Sequence, residues 1–306
     1  MKAAVVGGAG FIGSNLVDAL VERGEDVIVV DNLSTGYRRN LNPAAPLHEV
    51  DISLDSERLT SALNGRDVVF LTAAMPRVPR SIEDPVATHS VNVTGALRVL
   101  KAAVDAGVRR VVYSSSSSVY GDQPTLPLTE EMHPAPLNPY ACQKLMGEIY
   151  ARNFAHIYGL QTVCLRYFNV YGPRQVTEGA YRLVISIFMD QRAQNQPMTI
   201  HGDGEQTRDF TWVGDVVNAN ILAGESDRVG RGEPINIGAG TEVSVNRVAE
   251  LIGGPSVHVE PRGFDERFKR AGIRRAEELL GWQPRVQIEE GIRRILELQP
   301  TNTASH

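Results

Sequence analysis

The sequence predicts an α/β fold: a doubly wound parallel sheet with a smaller, interleaved α/β unit attached to it. Three observations predict it. Short apolar runs alternate with stretches of helical spacing through the first half of the chain. A glycine cluster, Gly7-Gly8-Ala9-Gly10-Phe11-Ile12-Gly13, falls between the first apolar run and the first helical stretch. Beyond about residue 172 the segments shorten, and Gly and Pro become more frequent.

Residues 2–6 form an apolar run that reads as a buried strand. Residues 11–21 place Phe11, Ile12, Leu16, Ala19 and Leu20 at helical spacing. A second strand, 27–30, ends at Asp31. Further strands are expected at 47–50, 68–71, 110–114 and 162–166, with helices at 56–63, 91–106 and 140–158 between them. Strand–helix alternation of this kind implies right-handed crossovers and helices on both faces of a parallel sheet. Ligands in such sheets bind beyond the C-terminal strand ends. In the second half, 212–222 and 245–252 read as helices. The run 234–237 reads as a strand that rejoins the first sheet. The expected division is 1–171, with return segments near 209–237, for the first unit. Residues 172–306 then form the smaller unit that caps the strand ends. Residues 301–306 are polar and expected to fray.

The 306 residues are 42% hydrophobic and 22% charged, with a net charge of −5. This balance argues against nucleic acid bound through a basic face. Only two cysteines occur, Cys142 and Cys164, in neither a metal nor a disulfide spacing. No apolar run approaches the roughly 20 residues of a membrane span, and residues 1–6 do not resemble a secretory leader. The expectation is a reduced, cytoplasmic protein with no membrane or nucleic-acid partner and no metal.

Gly7, Gly10 and Gly13 repeat at intervals of three between a strand and a helix. Glycine permits a tight turn and lets the backbone approach a pyrophosphate, which then meets the positive helix N-terminus. The strand–loop–helix context turns a weak triplet into a dinucleotide site of Rossmann type. Asp31, ending the second strand, is placed to accept both hydroxyls of an adenosine ribose. It would repel a 2′-phosphate, so NAD is expected rather than NADP. Asp51 and Ile52 follow the third strand; Asp51 either meets the adenine edge or caps a helix. Phe11, Ile12, Asn32, Ala73 and Asn92 complete the expected cofactor pocket.

Asn138-Pro139-Tyr140 reads as a helix start, with Asn as cap and Pro in the first turn. Tyr140 and Lys144 then share one helix face. A phenol titrates near 10, so a tyrosine acting as a base near neutrality must fall by about 3 units. The Lys144 ammonium and a nicotinamide ring can supply that. The fifth strand ends in the serine run 114–118, whose hydroxyls face the ligand crevice.

These residues resemble the extended short-chain dehydrogenases/reductases, in particular the NAD-dependent nucleotide-sugar epimerase/dehydratase family. The resemblance spans nearly the whole chain. It rests on the glycine loop, Ser116 to Gly121, Tyr140 with Lys144, and three later stretches: 165–174, 202–210 and Leu279-Leu280-Gly281-Trp282-Gln283-Pro284. It implies Tyr140 as base, Lys144 as its tuner and Ser116 as a hydroxyl bridging tyrosine and sugar. It also implies Asn169, Arg208, Arg262 and Asp265 as contacts to the nucleotide. A pyrophosphate needs forked donors, which suits the two arginines; surface pairing with Asp209 or Asp265 is the alternative. Dehydratases of the family carry an acidic pair where this chain has Ser117 and Ser118, and decarboxylases carry a glutamate at the second position. The serines resemble the epimerases instead. The implied activity is 4-epimerisation of a UDP-hexose with tightly bound NAD, in a homodimer formed through the helices at 91–106 and 140–158. The alternatives are a nucleotide-sugar oxidoreductase or dehydratase, or a non-catalytic NAD sensor. Met75-Pro76-Arg77, Lys269 and Gly272 depart from the family pattern and bear on substrate identity.

Overall fold

The computed structural model describes residues 1–175, 183–261 and 267–298. The first half runs β1 (Lys2–Val6), α1 (Phe11–Glu22), β2 (Asp26–Asp31), β3 (Leu47–Glu49), α2 (Ser56–Leu63), β4 (Val68–Leu71), α3 (Val78–Glu83), α4 (Pro85–His89), α5 (Ala96–Asp105), β5 (Arg110–Ser116), α6 (Pro139–Tyr158) and β6 (Gln161–Tyr167). The second half runs β7 (Val170–Tyr171), α7 (Val184–Ala193), β8 (Met198–His201), β9 (Thr207–Arg208), β10 (Thr211–Trp212), α8 (Val213–Glu225), β11 (Arg231–Ile237), β12 (Val243–Ser244), α9 (Val245–Ile252), β13 (Ser256–Val259), α10 (Arg274–Leu280) and α11 (Ile288–Leu298).

Seven strands form one sheet in the order β11-β6-β5-β4-β1-β2-β3. Every pairing in it is parallel. Successive residues of a strand face opposite sides of a sheet, and both sides here are apolar. Ala3 and Val5 join a core with α1 and α8, whereas Ala4 and Val6 join one with α2, α5 and α6. That explains why these strands read as continuous apolar runs rather than alternating ones. The strand expected at 234–237 pairs with β6 as β11, from Arg231 onward, and so rejoins the main sheet.

The strand order reverses between β1 and β4, which is where such sheets bind ligands. The helix expected at 91–106 begins differently: Ser90–Gly95 winds as wider π turns before α5. A side chain at Gly95 would meet Ile52 at 2.8 Å, so glycine lets this helix approach the segment after β3.

Helices α7, α9 and α11, with the short strands beside them, build a separate core. Phe188, Met198, Phe210, Trp212, Val248 and Ile292 belong to it. Asp209 ties this part to the sheet: its carboxylate accepts from the amides of Ala239 (2.6 Å), Gly240 (2.9 Å) and Ala271 (2.9 Å). Trp282 is fully buried, and its indole donates to the Asp215 carbonyl at 2.9 Å. No helix among the described residues is long and apolar enough to cross a membrane.

Candidate active site

The glycine loop sits on the switch point. Gly7 has φ +90°, and a Cβ there would lie 2.4 Å from the Ala73 nitrogen, beyond β4. A Cβ on Gly13 would lie 2.1 Å from the Gly7 carbonyl oxygen. These two glycines are needed for close approach of backbone to backbone. Gly10 is different: a Cβ there would meet only the Gly7 carbonyl, at 3.3 Å, so its outer side is open. Phe11 and Ile12 open α1, which has no side-chain cap and no acidic residue in its first turn. Its unpaired amides and positive end are therefore available to an anion.

Asp31 stands beside this loop, accepting from the amides of Ala9 (3.0 Å) and Leu33 (2.8 Å). A carboxylate has roughly four acceptor positions, so capacity remains for ribose hydroxyls. Cradle, open glycine and carboxylate together fit NAD.

Asn32 donates to Asp51 at 2.8 Å. Burial opposes ionisation of Asp51, but hydrogen bonds from Ser53 and Asn32 and the nearby Arg98 hold its carboxyl below the usual range. Asp51 does not cap α2; Asp55 does, accepting from the Arg58 amide at 3.0 Å. Ile52 is buried in the core against Gly95. Asn92 lies in the π turns and links three elements. It accepts from the Met75 amide (2.7 Å), donates to the Met75 carbonyl (3.1 Å) and donates to Gln143 on α6 (2.8 Å). The loop carrying Ala73 and Met75 is thereby fixed between β4 and α6.

At the neighbouring strand end, α6 starts as its sequence indicates. The Asn138 side chain accepts from the Ala141 amide at 2.9 Å, with Pro139 in the first turn. The Tyr140 amide donates to Ser81 Oγ at 3.1 Å, joining α6 to α3. Tyr140 and Lys144 are both buried. Lys144 Nζ donates to the Ser114 carbonyl at 2.8 Å and lies 5.9 Å from the centre of the Tyr140 ring. The Ser116 side chain stands beside the Tyr140 phenol and favours its ionised form, while its hydroxyl donates to Ser118 Oγ at 3.1 Å. Ser116 also caps the short 3₁₀ turn that follows, accepting from the Ser118 amide at 3.2 Å.

Burial pushes the Tyr140 phenol up to about 12, against downward pulls from the nearby Ser116 hydroxyl and the Arg77 cation. Burial pushes Lys144 down to about 8, against the Glu148 charge. Arg77 is half-buried at the head of α3, and its guanidinium makes no hydrogen bond or ion pair among the described residues. Its sequence position signalled only an unusual Met-Pro-Arg. Its proximity to Tyr140 is a tertiary fact.

Asn169 lies between β6 and β7, its carbonyl accepting from the Thr211 amide at 3.2 Å. Arg208 ends β9 and donates to the Thr207 carbonyl at 2.7 Å. Asp209, the pairing alternative for Arg208, spends its oxygens on three backbone amides instead. Arg262 and Asp265 lie outside the described residues. Lys269 is buried at the edge of this part of the chain.

A glycine cradle at the switch point of a parallel sheet, with a buried Tyr/Lys pair at the adjacent strand end, defines an enzyme of the short-chain dehydrogenase/reductase class. The chain belongs to the NAD dependent epimerase/dehydratase family, whose sequence pattern matches residues 3–238. NAD is accordingly its cofactor. A putative UDP-glucose 4-epimerase from Methanocaldococcus jannaschii is 40% identical, covering 97% of this chain and 98% of the relative. A UDP-glucose 4-epimerase from Mycolicibacterium smegmatis is 39% identical at the same coverages. The solved UDP-glucose 4-epimerase of Thermotoga maritima, with UDP-glucose, superposes with a TM-score of 0.92 at 39% identity, over 97% of this chain and 98% of that one. Proteins named UDP-sugar decarboxylases also match, at 34% identity.

Proposed function

We propose that the protein interconverts the C4 epimers of a UDP-hexose through a 4-keto sugar. The observation that supports this reading is the group Tyr140, Ser116 and Lys144 at a strand end where Ser117 and Ser118 supply hydroxyls and no carboxylate. Eliminating water from the sugar would need a general acid and base at that place. Removing and restoring one proton at O4 needs only the tyrosine and its hydroxyl relay.

Bound NAD supplies the acceptor and later the donor of hydride at C4. Tyr140 takes the proton of the C4 hydroxyl, directly or through Ser116, and returns it to O4 once the sugar has turned and hydride has come back to the opposite face of C4. Lys144 holds positive charge beside the phenol. Gly7, Gly10, Phe11, Ile12 and Gly13 cradle the cofactor pyrophosphate, with Asp31, Asn32, Asp51, Ile52, Ala73 and Asn92 around the rest. Asn169, Arg208, Arg262 and Asp265 hold the nucleotide end, so the sugar turns about its diphosphate without leaving. The second half of the chain, residues 172–306, mainly serves this nucleotide end. The working unit is a homodimer. Its support is the apolar exposure of Met146, Ile149 and Ile157 on α6.

A proton NMR time course with UDP-galactose, UDP-N-acetylgalactosamine and UDP-galacturonate, each without and then with added NAD, tests the proposal. Appearance of a C4 epimer with no net NADH supports it and names the sugar. Accumulation of a keto sugar or a UDP-pentose, or silence throughout, defeats it. Among the described residues, Arg77 beside Tyr140 favours the anionic uronate among the three sugars.

A further inference from the structure

Glu148 stands one turn beyond Lys144 and two beyond Tyr140 on the same face of α6. It is 3% exposed, and Lys144 is 4% exposed. The Ser115 hydroxyl donates to its Oε1. Arg166 forks onto both oxygens, Nε to Oε1 at 2.9 Å and Nη2 to Oε2 at 2.7 Å. Ser115 and Arg166 are register partners across β5 and β6. Three consecutive residues of β5 therefore engage three consecutive turns of α6. Ser116 meets Tyr140, the Ser114 carbonyl meets Lys144 and Ser115 meets Glu148. Behind the pair, the Arg166 guanidinium lies 4.7 Å from the centre of the Tyr120 ring, and the Tyr120 hydroxyl donates to Asn236 on β11 at 2.6 Å.

A buried ion pair is a poor way to gain stability, because apolar side chains of equal volume fill such a space as well or better. Its placement under the Tyr/Lys pair needs another reason. We propose that Glu148, locked by Arg166, is a positioning residue of the active site: it fixes α6 against the serine end of β5 and gives the buried Lys144 ammonium its counter-charge. This rests on the reading of Tyr140 and Lys144 as the working pair. The titratable and charged groups around Lys144 are Tyr140 and Glu148 from α6 and Tyr113 from β5, its ring centre 5.2 Å away; Cys164 and Arg166 of β6 stand against Tyr113 and Glu148, Arg77 lies across Tyr140, and Tyr167 turns to the other side of the sheet, bonded to Asn220 on α8. Glu148 is the one carboxylate among them. Burial lowers Lys144 and Glu148 raises it, so removing Glu148 leaves burial unopposed. The ammonium then loses its proton at lower pH, and the alkaline limb of turnover retreats toward neutrality.

The chain has four lysines, Lys2, Lys101, Lys144 and Lys269, so NMR of protein carrying ¹³Cε-lysine resolves the titration directly, with Lys144→Met for assignment. In the whole NAD-loaded protein, Lys144 should titrate well below the ordinary lysine range, because burial lowers it. In Glu148→Gln it should titrate at least about one pH unit lower, as expected for loss of an adjacent opposite charge. The Glu148→Gln/Arg166→Gln variant leaves no guanidinium stranded behind the helix. It should shift Lys144 downward by less than the single variant does, because the Arg166 cation goes with the carboxylate, and it decides the matter if the single variant does not fold. Ser115→Ala should leave the Lys144 titration in place. In parallel, the alkaline limb of turnover should move with Lys144. An unmoved Lys144 in the folded variants overturns the proposal. So does wild-type Lys144 titrating at the ordinary lysine value of about 10.4, or a turnover loss uniform in pH. The titration needs no substrate, so it stands or falls separately from the epimerase reading.

Discussion

At the scale of single residues, two positions carry distinct expectations. Gly13 has no room for a side chain, since its Cβ would press on the Gly7 carbonyl and lie 2.8 Å from Thr72 Oγ1. Backbone must move to admit alanine, and overpacking of this kind costs about 1–3 kcal/mol. Gly13→Ala should lower the melting temperature and weaken NAD binding in a fluorescence titration by at least about tenfold, or about 1.4 kcal/mol. Unchanged affinity would argue that the cradle is not where the pyrophosphate sits. Tyr140 is the second position. Loss of a positioned proton-transfer group typically costs about 10²–10⁴-fold in rate. Tyr140→Phe should lose turnover on that scale while its NAD titration stays close to wild type. Near-full activity would remove the tyrosine from the mechanism.

At the scale of elements, the site depends on how helices and loops are tied to the sheet. The stretch 279–284 shows this away from the chemistry. Gly281 ends α10 in the left-handed region at φ +63°. The turn drops Trp282 into the core against α8, while Asp215 on α8 accepts from the amides of Arg285 and Val286, both at 3.0 Å. Truncating a buried tryptophan costs about 3–5 kcal/mol. Trp282→Ala should therefore lower denaturant stability by that amount, and a loss under about 1 kcal/mol would show that the site collapses around the gap. Asp209 is a tighter case. An asparagine there has one acceptor oxygen for three amide donors, and each donor left unpaired costs about 1–3 kcal/mol. Asp209→Asn should loosen the segments at 239–240 and 271, read as faster amide hydrogen exchange at Ala239, Gly240 and Ala271 than in the wild type.

At the scale of the whole molecule, one parallel sheet places the glycine loop after β1 and the serine run after β5 on the same edge. The second core stands beyond that edge. The proposed dimer belongs to this scale as well. Ile149 and Ile157 on α6 are each 60% exposed, and they fit a helix face covered by a second copy. Ile149→Glu should shift the sedimentation profile from dimer toward monomer. A wild-type protein already monomeric at micromolar concentration would reject the dimer outright.

The order of residues along the chain by itself determined the alternation of strands and helices, the glycine loop with its acidic partner Asp31, and the Tyr140/Lys144 face of α6. Each is a local pattern: apolar runs, three-residue glycine spacing, a cap followed by an i,i+4 pair. The strand at 68–71 and the helix at 56–63 were legible to the residue for that reason. Other features only the tertiary structure decided. The π turns at 90–95 fall where Gly95 passes close to Ile52, a contact between segments far apart in sequence. Arg77 comes next to Tyr140 because α3 is bonded to the start of α6 through Ser81. Glu148 meets Ser115 and Arg166 because the β5–β6 register aligns two residues far apart in sequence. A spacing of four from Lys144 to Glu148 is visible in the chain. What that carboxylate faces is set by which strands lie beneath the helix, and that is a property of the sheet.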